Sequence, residues 1–301
     1  MKVKEALAWG ADELACLDIE DARFEAEYLL RHVLDIPRAR LYAGWHDLLP
    51  NGAWEDYVRL IGRRSKGEPA AYLTGHKEFY GLRFLVDPKV LIPRPESELL
   101  VELALEYVGN RGPGPCTIAD IGTGSGALAI ALAVNLPQAR VYATDIFTDA
   151  LEVASTNCRR HGVEDRVTLI RGDLLEPLPC AVDVLVSNPP YVKASDWQAL
   201  PPMIRDYEPA AALYCGPDGL AVIRRLLPQA KGVLRPGGAL FMEIGYDQGA
   251  EVMHLARALF PDAQVGLMPD LAGIDRVLAI YTLAESTPLA LPALEESEQA
   301  R

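Results

Sequence analysis

Apolar residues recur at helical spacing through the first quarter of the chain. They fall three and four positions apart in a run that contains Leu7 and Leu14, and again between Phe24 and Leu34. This period places apolar side chains on one face of an α-helix. A proline shortly after the second run ends it. The region has no glycine-rich fingerprint and no metal-ligand spacing, so residues 1–75 are predicted to form a small helical domain.

The pattern changes at residues 76–92. Two short apolar and aromatic runs, 79–80 and 83–86, flank Gly81, which is typical of two strands joined by a tight turn. A β-hairpin linker is therefore predicted. A helix is expected over residues 98–107, and a stretch rich in Gly and Pro then marks a clear break.

From Cys116 onward, stretches typical of strands alternate with stretches typical of helices. The predicted strands are residues 117–121, 140–144, 167–170, 182–187, 239–244, 263–267 and 276–282. Helical stretches are predicted between the first five strands. This alternation is typical of an α/β fold, in which helices cover both faces of a parallel sheet. Residues 285–301 are polar, contain prolines and show no period, so they are predicted to be a disordered tail.

Composition limits the classes of protein to consider. The 301 residues are 50% hydrophobic and 24% charged, as in ordinary globular proteins. No apolar run approaches the ~18 residues of a membrane span, and the first residues lack the apolar core of a secretion signal, so a cytoplasmic protein is predicted. The five cysteines form no CxxC pair and the five histidines no HExxH, so no metal site is expected.

The charge balance is strongly acidic. With 29 basic and 42 acidic residues, the formal net charge is −13. A nucleic-acid binder neutralises phosphates with a basic face. Direct binding to nucleic acid is therefore not expected.

A glycine-rich loop follows the first predicted strand of the sheet and opens a helix. Asp120 precedes the loop, whose residues are Gly122, Thr123, Gly124, Ser125 and Gly126. Small residues let a ligand approach the backbone, and a helix N-terminus offers free N–H groups. Asp145 ends the next strand, 19 residues beyond Gly126, where a carboxylate suits the two hydroxyls of a ribose.

The spacing of the glycines in this loop indicates which of two kinds of cofactor is expected. A GxGxG order with a preceding acid is more typical of S-adenosyl-L-methionine than of a dinucleotide, which is usually bound by GxGxxG. Asp120 would repel a pyrophosphate and tolerate the cationic methionine end of the sulfonium compound. S-adenosyl-L-methionine, with S-adenosyl-L-homocysteine as its product, is the predicted cofactor.

Asp173 and Leu174 follow the third predicted strand and are further candidates for cofactor binding. In this type of fold the loop lies beside the adenine. Asp173 would accept a hydrogen bond from the exocyclic amino group, and Leu174 would pack on the base. An equal alternative is that Asp173 serves only as a turn residue.

The motif NPPY ends the fourth predicted strand, where ligands of open α/β sheets bind. A planar amide or amino nitrogen is a weak nucleophile with two N–H donors. The side-chain oxygen of Asn188 and the backbone carbonyl of Pro189 are two acceptors that would hold such a nitrogen in line for methyl transfer. Pro190 stiffens the turn, and Tyr191 would pack on the planar target group.

Several motifs together resemble one known family. They lie at residues 69–72, 75–81, 91–96, 122–126, 187–191, 207–209, 216–220, 243–245 and 270–277. NPPY alone is shared with DNA adenine and RNA guanine methyltransferases, but its combination with IPRPE and EFYG is highly specific. In these motifs the chain resembles the protein-glutamine N5-methyltransferases, and its 243–249 and 270–277 segments look like the release-factor branch.

The resemblance implies a fold and a site. The fold would be a five-helix N-terminal domain (1–75), a hairpin linker (76–92) and a Rossmann-like class I methyltransferase domain (93–284), whose seven-stranded sheet has an antiparallel last strand. The glycine loop and Asp145 would bind the cofactor, and Leu174, where many relatives carry an aromatic residue, would lie at the adenine. Residues 188–191 would hold the glutamine amide, with Asn188 also beside the cofactor.

The resemblance also implies a substrate, the glutamine of the Gly-Gly-Gln loop of class I peptide chain release factors. The enzyme is expected to be a monomer. Ribosomal protein L3, the substrate of a sibling branch, is the first alternative. An adenine or guanine in nucleic acid is the second, and the net charge of −13 counts against it.

Overall fold

The computed structural model describes residues 1–16 and 21–283, so the predicted tail at 285–301 lies outside the described residues. The helices are α1 (Val3–Ala15), α2 (Ala22–Leu34), α3 (Arg38–Ala43), α4 (Ala53–Arg64), α5 (Ala70–Thr74), α6 (Glu98–Asn110), α7 (Ala127–Asn135), α8 (Thr148–His161), α9 (Ala194–Trp197), α10 (Pro202–Arg205), α11 (Ala221–Val233) and α12 (Gly249–Leu259). The strands are β1 (His76–Phe79), β2 (Leu82–Leu85), β3 (Cys116–Ile121), β4 (Ala139–Asp145), β5 (Val167–Arg171), β6 (Val182–Ser187), β7 (Leu234–Glu243), β8 (Gln264–Pro269) and β9 (Asp275–Tyr281).

The chain divides into two compact units. The first comprises Met1–His76 together with the segment Pro201–Glu208, and the second comprises Lys77–Leu200 and the chain from Pro209 onward. None of the helices in the described residues is long and apolar enough to cross a membrane.

The first unit is the predicted N-terminal helical domain. The apolar faces of α1, α2 and α4 meet in one core. Gly10 permits the close approach of two of these helices, because a Cβ atom there would lie 2.0 Å from the hydroxyl of Tyr57. That hydroxyl donates to the carbonyl of Ala26 on α2 at 3.1 Å. Tyr207 joins this unit by donating its hydroxyl to the carbonyl of Lys66 at 2.9 Å.

The second unit contains the predicted seven-stranded sheet. Its strand order is β5-β4-β3-β6-β7-β9-β8, and β9 is antiparallel to both of its neighbours. The strands from β3 to β7 pair in parallel. Helices α6, α7 and α8 pack on one face, and α11 and α12 pack on the other. The Rossmann-like α/β fold with an antiparallel last strand is confirmed, as is the two-stranded hairpin β1-β2.

Two local predictions were wrong. No helix separates β5 from β6, since residues 172–181 form turns. Pro177 and Pro179 interrupt helical hydrogen bonding there, and Gly172 packs so closely on Pro177 that a Cβ would lie 2.5 Å from its ring. Tyr80 belongs to the turn of the hairpin rather than to a strand, with a left-handed φ of 49°.

The topology brings two loops together. The chain starts the sheet at β3, adds β4 and β5 on one side, and then crosses to β6 on the other side. β3 and β6 run parallel with Ile121 opposite Ser187, so their carboxyl ends lie side by side. This reversal of direction is where open α/β sheets form their ligand crevice.

Candidate active site

The glycine-rich loop has a backbone that its glycines make possible. Gly122, Gly124 and Gly126 all have left-handed φ angles, of 73°, 55° and 83°. A Cβ atom at Gly122 or Gly124 would meet nothing within 4 Å, whereas one at Gly126 would lie 3.0 Å from Ile130. The first two glycines therefore leave open space above the loop, and the third permits helix packing below it.

Asp120, at the end of β3, has one carboxylate oxygen that is fully engaged and one that is free. Its Oδ2 accepts hydrogen bonds from the Thr123 hydroxyl at 2.6 Å and the Ala129 amide at 3.1 Å. Its Oδ1 is buried with no hydrogen-bond partner. Burial raises the pKa of Asp120 to about 7. A buried carboxylate oxygen without a donor suits a cationic ligand group, which would also lower that pKa.

Asp145, at the end of β4, is 8% exposed and lies against the same loop. Its Oδ2 accepts from the Gly124 amide at 2.9 Å and its Oδ1 from the Phe147 amide at 2.9 Å. Burial raises the pKa of this carboxyl, and these backbone donors oppose the rise. Each oxygen keeps a second lone pair, so the carboxylate can also accept from a ligand hydroxyl. Ile146 and Phe147 stand exposed beside it.

Asp173 and Leu174 lie in the turn after β5. Arg225 on α11 forms an ion pair with Asp173, so this carboxylate has a protein partner in addition to the predicted ligand role. Leu174 has a left-handed φ of 50°, and its carbonyl accepts from the Thr144 hydroxyl at 2.9 Å. A leucine in that region of φ is strained, and such strain concentrates at functional sites.

The NPPY residues follow β6, beside the glycine loop. The Nδ2 group of Asn188 donates to the Ser97 hydroxyl at 2.8 Å. Pro189 is buried and Pro190 half-buried. Tyr191 is half-buried, and its hydroxyl donates to Glu243 at 3.0 Å.

Glu243, at the end of β7, is 1% exposed and accepts from the Ser97 hydroxyl at 2.5 Å as well as from Tyr191. Burial raises the pKa of Glu243, and hydrogen bonds from Ser97 and Tyr191 and the charge of Arg276 oppose the rise, while Glu96 adds to it. The sequence motifs indicated neither Ser97 nor Glu243 as a site residue. They lie far from NPPY in the chain, and only the sheet brings them to it.

Two further buried amides hold the loops and were also missed from the sequence. Gln248 accepts from the Gly245 amide at 2.9 Å and donates to the Tyr191 carbonyl at 3.1 Å. Asn157 donates to the Ser125 carbonyl at 2.8 Å. Asn157 falls on the apolar face of α8, so a polar residue on a buried helix face was the available signal.

The comparisons with known proteins identify the family of this chain. Residues 5–75 match the model of the PrmC N-terminal domain, and residues 97–206 match that of the Methyltransferase small domain. A release factor glutamine methyltransferase from Moorella thermoacetica is 47% identical over 289 residues, which cover 95% of this chain and 100% of that protein. One from Geobacter sulfurreducens is 41% identical over 278 residues, covering 92% and 95%. The chain belongs to the release factor glutamine methyltransferase family.

A solved structure of low sequence identity supports the fold. The hMettl16 catalytic domain, determined in complex with a MAT2A 3'UTR hairpin, has a TM-score of 0.55 with this chain at 15% identity. The match covers 80% of this chain and 84% of that one. At this identity the likeness shows the shared fold.

Family membership makes the chain an S-adenosyl-L-methionine-dependent methyltransferase, and the loop residues fit that cofactor. The partnerless Oδ1 of Asp120 suits an ammonium group, as on the methionine end of the cofactor. The space above Gly122 and Gly124 admits a ligand against the backbone. Asp145 stands at the adjoining strand end, with lone pairs left for hydroxyl groups.

Proposed function

We propose that this chain transfers the methyl group of S-adenosyl-L-methionine to the side-chain amide nitrogen (N5) of the glutamine in the Gly-Gly-Gln motif of class I peptide chain release factors. The observation that carries the proposal is the position of Asn188 and Pro189 at the end of β6, beside the glycine loop that ends β3. The names of relatives that align along nearly the whole chain support the same substrate.

The cofactor side of the crevice is formed by the ends of β3, β4 and β5. Asp120 would accept a hydrogen bond from the ammonium group of the cofactor, and Asp145 would accept from the ribose hydroxyls. Residues 122–126 would lie against its methionine part, with Leu174 and Asp173 beside the adenine. When bound, the cofactor supplies an electrophilic methyl group on a sulfonium sulfur.

The substrate side of the crevice is formed by residues 188–191. The Oδ1 atom of Asn188 would accept one hydrogen of the glutamine amide, and the Pro189 carbonyl would accept the other. Together they would fix the plane of the amide and aim the nitrogen lone pair at the methyl group. Pro190 stiffens this turn, and the ring of Tyr191 would pack against the amide plane.

The two acceptors would also compensate for the low nucleophilicity of an amide nitrogen. Its lone pair is delocalised into the carbonyl, so the nitrogen is a weak nucleophile and gains positive charge as the new bond forms. Asn188 Oδ1 and the Pro189 carbonyl place partial negative charge beside it and would stabilise that change. The nitrogen can lose its proton after the transfer, so this step requires no strong base.

The first unit would dock the protein substrate. It is a helical domain whose sequence carries no ligand fingerprint, and it matches the PrmC N-terminal domain. Modification of release factors would place the enzyme in the cytoplasm.

The test is incubation with isotopically labelled S-adenosyl-L-methionine and each candidate acceptor in a separate tube: a class I release factor, ribosomal protein L3, and RNA or DNA. Label on the glutamine of the Gly-Gly-Gln motif, located by tandem mass spectrometry as a gain of one CH₂ unit, is the expected result. Label on protein L3 alone, or on nucleic acid alone, would overturn the proposed substrate.

A further inference from the structure

Four side chains form a hydrogen-bond chain behind the NPPY motif, which we call the Asn188 relay. Asn188 Nδ2 donates to Ser97 Oγ at 2.8 Å, and Ser97 Oγ donates to Glu243 Oε2 at 2.5 Å. The hydroxyl of Tyr191 donates to the other oxygen, Glu243 Oε1, at 3.0 Å. The relay therefore runs from the catalytic motif to the end of β7 and back to the motif.

The interior of the relay is closed to water. Ser97 is 4% exposed and Glu243 is 1% exposed. Ser97 is held in the short helical turn Pro95–Ser97 that precedes α6, and Glu243 ends β7, where it pairs with Val277 of β9. Buried polar groups of this kind depend on one another, because no solvent molecule replaces a lost partner.

The direction of the hydrogen bonds follows from what each group can do. An ionised carboxylate only accepts hydrogen bonds, and a serine hydroxyl has one hydrogen to donate. The hydrogen of Ser97 goes to Glu243, so Ser97 Oγ can only accept from Asn188. The NH₂ group of Asn188 must then face Ser97, and its Oδ1 must face the other way.

This direction matters because the two ends of an asparagine amide are opposite in character and nearly equal in shape. With Oδ1 turned away from Ser97, Asn188 offers an acceptor, as a substrate NH₂ group requires. If the Asn188 amide were flipped, its NH₂ group would face the NH₂ group of the substrate, and two donors cannot form a hydrogen bond with each other. We propose that Ser97 and Glu243 are positioning residues that fix which way the Asn188 amide faces, and so make Oδ1 the atom offered to the substrate. This inference rests on the proposed function of Asn188.

The first experiment measures methylation of release factor in a single turnover, with enzyme in excess so that slow variants remain measurable. Ser97→Ala should lower the rate about 10–100-fold, the range expected when a supporting hydrogen bond to a positioned group is lost. The KM for release factor and the melting temperature should change little. Ser97→Thr keeps the hydroxyl and should retain most of the activity. Ser195→Ala, an exposed serine four residues after Tyr191, is the matched control.

Two further variants separate orientation from mere packing. Glu243→Gln adds a donor that can reverse the direction of the relay, so its rate should also fall while the fold is kept. In an Asn188→Asp background the two ends of the side chain are equivalent, so adding Ser97→Ala should cost less than about threefold. An equal loss from Ser97→Ala in both backgrounds would give Ser97 a structural role only. Wild-type rates in both Ser97→Ala and Glu243→Gln would overturn the proposal.

A second measurement needs no substrate. The side-chain amide resonances of Asn188, identified by their loss in Asn188→Asp, report its hydrogen bond to Ser97 directly. Exchange of these hydrogens with solvent should be at least about tenfold faster in Ser97→Ala than in the wild type. Unchanged exchange would contradict the relay. A wild type that methylates no release factor would overturn the proposed function, and this resonance would still decide whether Ser97 holds the Asn188 amide.

Discussion

Asp120 combines a structural cost with a proposed ligand-binding role. Its folded pKa of about 7 lies above the ordinary value of 3.8, so its contribution to stability is fully present below about pH 4 and is lost as the pH rises through about 7. At neutral pH and without cofactor, the protein therefore holds a partly ionised carboxylate in its interior. The ammonium group of the cofactor is the charge that would compensate it.

Asp120→Asn should make the cofactor-free protein more stable and the cofactor complex weaker. The amide keeps an acceptor for Thr123 and Ala129 but cannot ionise, so its melting temperature should exceed that of the wild type by about 2–6 °C near pH 8. The gap should shrink toward pH 5, where the wild-type carboxyl is protonated. Thermal melts at both pH values and calorimetric titration with cofactor check this. A gap that does not depend on pH would contradict the account.

Asp145→Ala should weaken cofactor binding far more than binding of release factor. It removes the proposed acceptor for two ribose hydroxyls, and a hydrogen bond to a charged group contributes about 1.5–3 kcal/mol. It also frees the Gly124 amide, so the loop loses one of its supports. Calorimetric titration with S-adenosyl-L-homocysteine measures the effect, and Asp149→Ala, an exposed carboxylate on the next helix, is the control. Equal affinity in both variants would remove Asp145 from the site.

At the residue scale, short motifs predicted the candidate site residues at strand ends. They did not predict the residues that hold those side chains by hydrogen bonds. Asp120 and Asp145 were found because each lies at the end of a strand of the βαβ pattern. Ser97 and Glu243 were missed because hydrogen bonds across 91 and 146 residues of sequence leave no local period. Asp173 shows the same limit, since its partner Arg225 is 52 residues away. The ligand roles of Asp120, Asp145 and Asp173 stay predictions.

The turn from β3 into α7 depends on the glycine at position 126. Gly126 has a φ of 83°, and a Cβ there would lie 3.0 Å from Ile130 and 3.3 Å from Ala154. Gly112 has a similar φ of 80° but would place its Cβ in open space. The two positions therefore share the conformational strain and differ in the packing.

Gly126→Ala should lower the free energy of unfolding by about 2–4 kcal/mol, because strain and overpacking add, whereas Gly112→Ala should lower it by about 1–2 kcal/mol. Only Gly126→Ala should also weaken cofactor binding, since it displaces the loop. Urea unfolding of both variants gives the difference. Equal losses would show that packing under the loop contributes nothing.

At the element scale, short apolar runs between turn residues predicted the strands of the sheet in their sequence along the chain, because each buried strand is such a run. It failed at residues 172–181, where a helix was expected from the general βα rhythm although two prolines prevent it. β7 begins at Leu234, five residues before its prediction, since the segment of Arg, Pro and Gly at its start reads as a turn.

The whole molecule consists of two units with different proposed tasks, substrate docking and catalysis. A fragment beginning at Lys77 should bind cofactor within about threefold of the full chain if it folds, because the proposed cofactor residues all lie in the second unit. It should methylate release factor poorly. Calorimetry and single-turnover rates on the same preparation test this, and full activity of the fragment on intact release factor would contradict the docking role.

At this scale the sequence could not indicate that Pro201–Glu208 packs with the first unit. The segment follows NPPY in the chain, yet Tyr207 donates to Lys66, 141 residues earlier. No local sequence pattern indicates a contact between segments so far apart in the chain. The two units were therefore predicted as continuous stretches.

The central claim is that Asn188 positions a glutamine amide for methylation, and one measurement tests it most directly. The single-turnover rate of glutamine methylation on release factor is compared between the wild type and Asn188→Ala, at equal cofactor saturation and with thermal melts of both. The account predicts a rate about 10²–10³-fold lower in the variant with its fold intact, since it loses an acceptor that aligns the nitrogen and stabilises its developing charge. A folded Asn188→Ala variant that methylates at the wild-type rate would contradict it.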